Sequence, residues 1–250
     1  MYVGAPLDKH YHFDVELIED LLYKMKRGKA AGLDGLTVEH VIHSHPIVLV
    51  VLSKLFNLCV SVGYVPKSFG LSYTVPIVKG SVNTSSRNLN VGDFRGISIS
   101  PVISKLFEHC LLRRFGEFFV TSDNQFGFKR GLSTSHAIYT LRRVVDYYTS
   151  RNSTVNLCAV DVSKAFDRMN HHGLFLKLMQ RNLPNNVLMV IEDWFSKCFT
   201  SVRWGHSFSD VFCILRSIRQ GGVLSPYLFA MYINDVVVGC LLYTSDAADE

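Results

Sequence analysis

The segment LCAVDVSKAFDRM, residues 157–169, sets one carboxylate, Asp161, at the end of an apolar run and just before a helix start. The β-branched composition of Val155 to Val162 predicts a buried strand, and a charge at the end of such a strand needs a reason. Two roles are open to it. The plain one is structural, an N-cap or turn residue whose side chain accepts from the first free N–H groups of the following helix. The other is coordination of a divalent cation such as magnesium, which prefers a few carboxylate oxygens together with phosphate oxygens and water on a rigid support. Further along stands RQGGVLSP, residues 219–226. Its two adjacent glycines allow the backbone to approach a partner closely. Ser225 and Pro226 then read as N-cap and first residue of a helix whose buried face carries Leu228, Phe229, Tyr232 and Ile233. Taken alone, R-Q-G-G is a turn and little more.

These residues must be held by the elements around them. Residues 14–27 place Ile18, Leu21, Leu22 and Met25 at helical spacing and stop at Gly28. KAAGLDGL, 29–36, is a glycine-punctuated loop, after which Thr37 caps a second helix toward His43. A third helix runs from Ile47 to Val62, and LSYTVPIVKG, 71–80, reads as a strand followed by a polar connection over 81–92. Helical spacing returns between Ser100 and Phe119, after the FGFKRGLSTS turn with Ile138, Leu141, Val144 and Val145, and over Val187, Ile191, Trp194, Phe195 and Cys198. Thr200 to Ile214 suggests a hairpin turning near Gly205. Helices and strands without strict alternation predict an α+β architecture.

The chain has 250 residues, 48% of them hydrophobic, enough to bury a core. Its net charge of +5 allows a polyanionic partner without demanding one. Lys24, Lys26, Arg27 and Lys29 cluster, and their plain reading is a solvated helix end. The six cysteines show no C-x-x-C pair, so they read as reduced core residues. The longest apolar run, Ile47 to Val65, is interrupted by Ser53, Lys54, Asn57 and Ser61 and reads as a core helix, not a membrane span. No signal peptide opens the chain, which points to an intracellular product.

VDVSKAFD and RQGGVLSP, in that order, resemble the first two palm motifs of reverse transcriptases. Upstream, VPIVKG and GDFRGISIS resemble the two finger strands of that family, and QFGFKRGLSTSHAI, 125–138, resembles its Q-x-G-F-x-x-G-x-S-T segment. KAAGLDGL is similar to a motif of the non-LTR, or LINE-like, retrotransposon enzymes. The resemblance covers roughly residues 14–239, and its strength lies in the order of the blocks.

What the resemblance implies is a right-hand polymerase: an N-terminal helical extension over 1–70, fingers over 71–152 and a partial palm over 153–239, with the thumb absent. The reaction would add deoxynucleotides to a primer 3′ end, an in-line displacement at phosphorus in which two divalent ions, Mg2+ in the complete enzyme, stabilise the attacking and leaving oxygens. By the resemblance Asp161 is the catalytic metal ligand, joined by the carbonyl of Val162. Lys79 and Arg95 hold the triphosphate with a point charge and a planar fork. Phe166 packs on the sugar and leaves no room for a 2′ hydroxyl, its rival reading being ordinary core packing. Gln220 and Gly221 sit beside the incoming nucleotide and the template base. Phe126, Phe128, Lys129 and Arg130 combine stacking faces with phosphate-binding charge near the template, the rival reading being a surface turn with two buried rings. Asp167 is expected to be structural, and Gly96 stands where the family usually has Pro, which is expected to loosen a turn.

The third palm motif, an aromatic-Ala-Asp-Asp turn, is not found after the helix expected to end near Asp235. In CLLYTSDAADE, 240–250, Asp246 and Asp249 are separated by Ala247 and Ala248, and the segment resembles a translated sequencing adapter, so it is expected to be a scar. The isolated fragment is then expected to be inactive. The partners implied are an RNA template, a DNA primer and deoxynucleoside triphosphates, with no membrane, in the nucleus or a cytoplasmic ribonucleoprotein. Two alternatives share the blocks: a group II intron type reverse transcriptase, and a non-catalytic nucleic-acid-binding remnant of a decayed element.

Overall fold

The computed structural model describes residues 2–80, 89–129, 131–162 and 165–246. The first helix, α1 (Val15–Lys24), starts where Asp14 accepts from the Leu17 N–H at 2.7 Å and buries Leu17, Ile18 and Leu22. α2 (Val38–Ile42) is capped by Thr37, with His40 reaching back to the Thr37 N–H. α3 (Ile47–Val62) ends at Gly63, whose φ of 70° supplies the left-handed stop that ordinary residues resist. A single turn, α4 (Lys67–Gly70), leads into β1 (Leu71–Val78). Then come β2 (Phe94–Ile99), α5 (Val102–Phe115) and α6 (Thr134–Thr149). α7 (His171–Gln180), α8 (Asn185–Ser196), β3 (Phe199–Trp204), β4 (Ser207–Phe208), β5 (Phe212–Cys213) and α9 (Ser225–Asp246) complete the order.

The strands form a five-stranded sheet in the order β2-β1-β3-β4, with β5 also paired to β3. β1 and β2 are antiparallel, with Ile77 opposite Arg95 and Tyr73 opposite Ile99, whereas β1 and β3 run parallel. The expected hairpin turns at Gly205, where φ is 59°. Rings fill the space where α3, α4, α5 and α8 meet: Phe107 stacks on Trp194 at 5.6 Å and tilts against Phe56 at 4.9 Å. The Trp194 ring N–H donates to the Phe69 carbonyl at 3.1 Å, so its one polar group is satisfied inside the core. Each ring fully buried there stabilises the fold by about 1.5–3 kcal/mol. The same apolar cluster extends from Ile18 and Leu22 of α1 to Leu228 and Phe229 of α9. No helix among the described residues is long and apolar enough to cross a membrane.

Several expectations are corrected. Residues 155–162 form no strand, and Asp161 and Val162 are exposed. The physical reason is pairing. A strand persists only when its backbone N–H and C=O groups meet a neighbour, and no described strand pairs with this segment. α6 forms as its spacing predicts, but none of its residues is buried. α9 runs on past Asp235 to Asp246, in a stretch that contains one glycine and no proline to stop it. Gly96 lies inside β2 opposite Pro76, not in a turn; a Cβ there would come within 2.9 Å of the Thr74 methyl. Cys59, Cys110 and Cys198 are core residues, and burial pushes the Cys59 thiol to about 11 and the Cys110 thiol to about 12. Cys158, by contrast, is exposed, and Cys213 is half-buried. Arg130 lies outside the described residues, as do Ser163, Lys164 and the last four residues of the tail.

Candidate functional site

The antiparallel pairing of β1 and β2 sets the two candidate triphosphate ligands. Arg95 faces Ile77, and Lys79, whose backbone N–H donates to the Asp93 carbonyl at 2.9 Å, extends the same ladder. Side chains alternate along a strand, so Lys79 and Arg95 share one face of the hairpin, a diagonal apart. Arg95 is exposed, whereas the Lys79 ammonium is held by the Gly92 carbonyl at 2.7 Å.

The R-Q-G-G turn docks on the inner end of that hairpin. The Ser98 N–H donates to the Gln220 carbonyl at 2.7 Å. Gly221 has φ of 125°, and a Cβ there would run into the Ser98 carbonyl oxygen. Glycine is required on both counts. Arg219 is 8% exposed, donates to the Phe69 carbonyl at 3.1 Å and lies over the Trp194 ring.

Phe166 joins the first block to the others. Its carbonyl accepts from the Ile218 N–H at 3.0 Å, and its ring stacks on Phe229 of α9 at 4.6 Å. Phe128 stands edge-on to both, at 5.7 Å from Phe166 and 6.0 Å from Phe229. Three stretches far apart in sequence therefore meet in one aromatic cluster. Phe128 pairs a left-handed φ of 59° with 45% exposure, so part of its ring is open to a partner. Phe126 is half-buried, and Lys129 is turned inward to the Ser122 carbonyl with Asp123 at 4.0 Å.

The N-terminal basic cluster does more than solvate a helix end. The Ala31 carbonyl accepts from the Tyr73 hydroxyl at 2.9 Å, and a Cβ on Gly32 would lie only 2.9 Å from Pro101 Cα, so the KAAGLDGL loop is fastened to β1 and lies close to the start of α5. Lys24, Lys26, Lys29, Lys105 and His109 then line a groove of about 360 Å³ that reaches Gly221.

Glu108 escaped the reading of the sequence. It shares a helical stripe with Ser104, Phe107, Leu111 and Phe115, and a charge at an apolar position of that stripe was the available signal. Glu108 is 3% exposed, and one carboxylate oxygen accepts from the Leu224 N–H at 2.7 Å. Burial pushes its carboxyl above the usual range, against the pull of Arg219, the Leu224 and Val223 N–H groups and Lys105.

Residues 79–243 match the family model described as reverse transcriptase (RNA-dependent DNA polymerase). The chain belongs to the reverse transcriptase family. Among its relatives is the RNA-directed DNA polymerase from mobile element jockey of Drosophila funebris, 26% identical over 89% of this chain and 24% of the relative. A probable RNA-directed DNA polymerase from transposon X-element of Drosophila melanogaster is also 26% identical, over 88% and 24%. The Pol polyprotein from type-1 retrotransposable element R2 of Popillia japonica is 26% identical over 83% and 28%. These are enzymes of non-LTR retrotransposons, and the chain spans about a quarter of the length of such relatives.

The family works with a divalent metal. The described residues contain no group of three His, Cys, Asp or Glu side chains able to hold an ion, and Asp161 is exposed. The described residues do not by themselves make up a complete two-metal site.

Proposed function

We propose that this chain is the N-terminal extension, fingers and part of the palm of an RNA-directed DNA polymerase of a non-LTR retrotransposon, with boundaries near residues 70, 152 and 239. Its substrates are an RNA template, a DNA primer and deoxynucleoside triphosphates, and its setting is a nuclear or cytoplasmic ribonucleoprotein. One observation carries the reading: the Gln220–Gly221 turn is bonded to Ser98 on the strand that carries Arg95, while Phe166 is bonded to Ile218 just ahead of that turn. Residues suited to a triphosphate, a base and a sugar are thereby brought together from three separate segments. The lysine-lined groove ending at Gly221 supports a phosphate backbone passing beside the same turn.

Within the longer protein, Asp161 and the Val162 carbonyl are the ligands that this segment offers to Mg2+. The chain on its own is a nucleic-acid-binding fragment without polymerase activity, as expected if its sequence lacks the adjacent Asp-Asp turn.

Phe166 supplies the test. Its ring lies flat on Phe229, which fixes its orientation. In the full-length polymerase, Phe166→Ala is expected to lower the preference for deoxynucleotides over ribonucleotides by about tenfold or more, measured as the ratio of kcat/KM values. An unchanged ratio would show that the ring is merely core.

A further inference from the structure

A buried carboxylate is costly, and an apolar side chain of similar size would fill the same space on α5 more cheaply. Glu108 is nevertheless 3% exposed, with its second oxygen, Oε1, unpartnered among the described residues. Most of the groups that compensate it belong to one short stretch. The Leu224 N–H donates to Oε2 at 2.7 Å, and a Cβ on Gly222 would lie 3.4 Å from the same oxygen. Arg219 opens that stretch, adds a favourable charge and is itself tied to the Phe69 carbonyl at 3.1 Å. Lys105, one turn earlier on α5, adds a second. Residues 219 and 222–224 are thus drawn to one point, while Gln220 and Gly221 between them are pressed outward against Ser98.

We propose that Glu108 is a positioning residue, fixing the Gln220–Gly221 turn from behind and thereby setting how the enzyme binds its incoming nucleotide. The inference rests on the polymerase reading above. A carboxylate does here what packing alone cannot: it accepts from the Leu224 N–H just ahead of α9 and attracts the Arg219 charge at the other end of the turn. Displacing a substrate-facing backbone by even a fraction of an ångström weakens binding of the nucleotide it faces, and leaves remote contacts to the duplex alone.

The experiment has two arms. In the full-length polymerase, single-nucleotide incorporation is measured for wild type, Glu108→Gln and Glu108→Ala, with Asp161→Asn as the control for chemistry. Glu108→Gln keeps the shape and one acceptor but loses the charge, and is expected to raise the nucleotide KM about threefold; Glu108→Ala is expected to raise it about tenfold. The primer–template Kd stays within about twofold of wild type in both. A nucleotide KM that is unchanged in either folded variant, or one that rises only in step with the duplex Kd, overturns the proposal. In the 250-residue chain itself, amide exchange is compared for wild type and Glu108→Gln. Faster exchange at Val223 and Leu224, with α8 unaltered, is expected; unchanged exchange there overturns the positioning role. A wild-type polymerase that does not extend primers refutes the polymerase reading instead, and the exchange arm still decides whether Glu108 holds the turn.

Discussion

Gly221 combines a backbone angle that side chains rarely adopt, φ of 125°, with a backbone contact to Ser98 that leaves no room for a methyl group. Either constraint alone destabilises an alanine by about 1–3 kcal/mol. Gly221→Ala is therefore expected to cost at least about 2 kcal/mol, read as a lower denaturation midpoint with an unchanged slope. A variant as stable as wild type would mean that the turn is not pinned on β2 as described. The adjacent glycines marked a close approach in the sequence, but to a nucleotide, whereas the approach in the fold is to the Ser98 carbonyl. Glu108 was not singled out, although its place in the stripe of Phe107 and Leu111 marks it as a charge facing the core.

The helices that build the core were readable for local reasons. Asp14 caps α1, Gly63 stops α3, and α8 carries Val187, Ile191 and Trp194 at helical spacing. Residues 155–162 show what composition does not supply. Val155, Val160 and Val162 favour an extended chain, but a strand also needs a neighbour, and none is present among the described residues. α5 adds a pH signature of its own through His109. Burial lowers its pKa below 6.5, so the folded protein holds it neutral while the unfolded chain takes up a proton more readily. The sign follows: its contribution to stability is intact above about pH 6.5 and is lost as pH falls through and below that value. His109→Gln is expected to narrow the drop in Tm between about pH 7.5 and about pH 5.5 relative to wild type. An equal drop in both proteins would place His109 in water.

At the scale of the whole molecule, one core joins α1 to α9, and hydrogen bonds tie the R-Q-G-G turn to β2 and to the segment of Phe166. The Arg95 hairpin, the R-Q-G-G turn and the Phe166 cluster are assembled; the acid that would work with them is not enclosed. The chain spans about a quarter of the length of its relatives, so the polymerase account applies to the longer protein of which this is a segment. We propose that Asp161, exposed here, is the carboxylate around which the longer protein adds nucleotides. The most direct measurement is extension of a DNA primer on an RNA template by the full-length polymerase, wild type against Asp161→Asn, with RNA affinity followed in parallel. Extension is expected to disappear in the variant while RNA binding stays close to wild type. Extension at the wild-type rate by Asp161→Asn would contradict it.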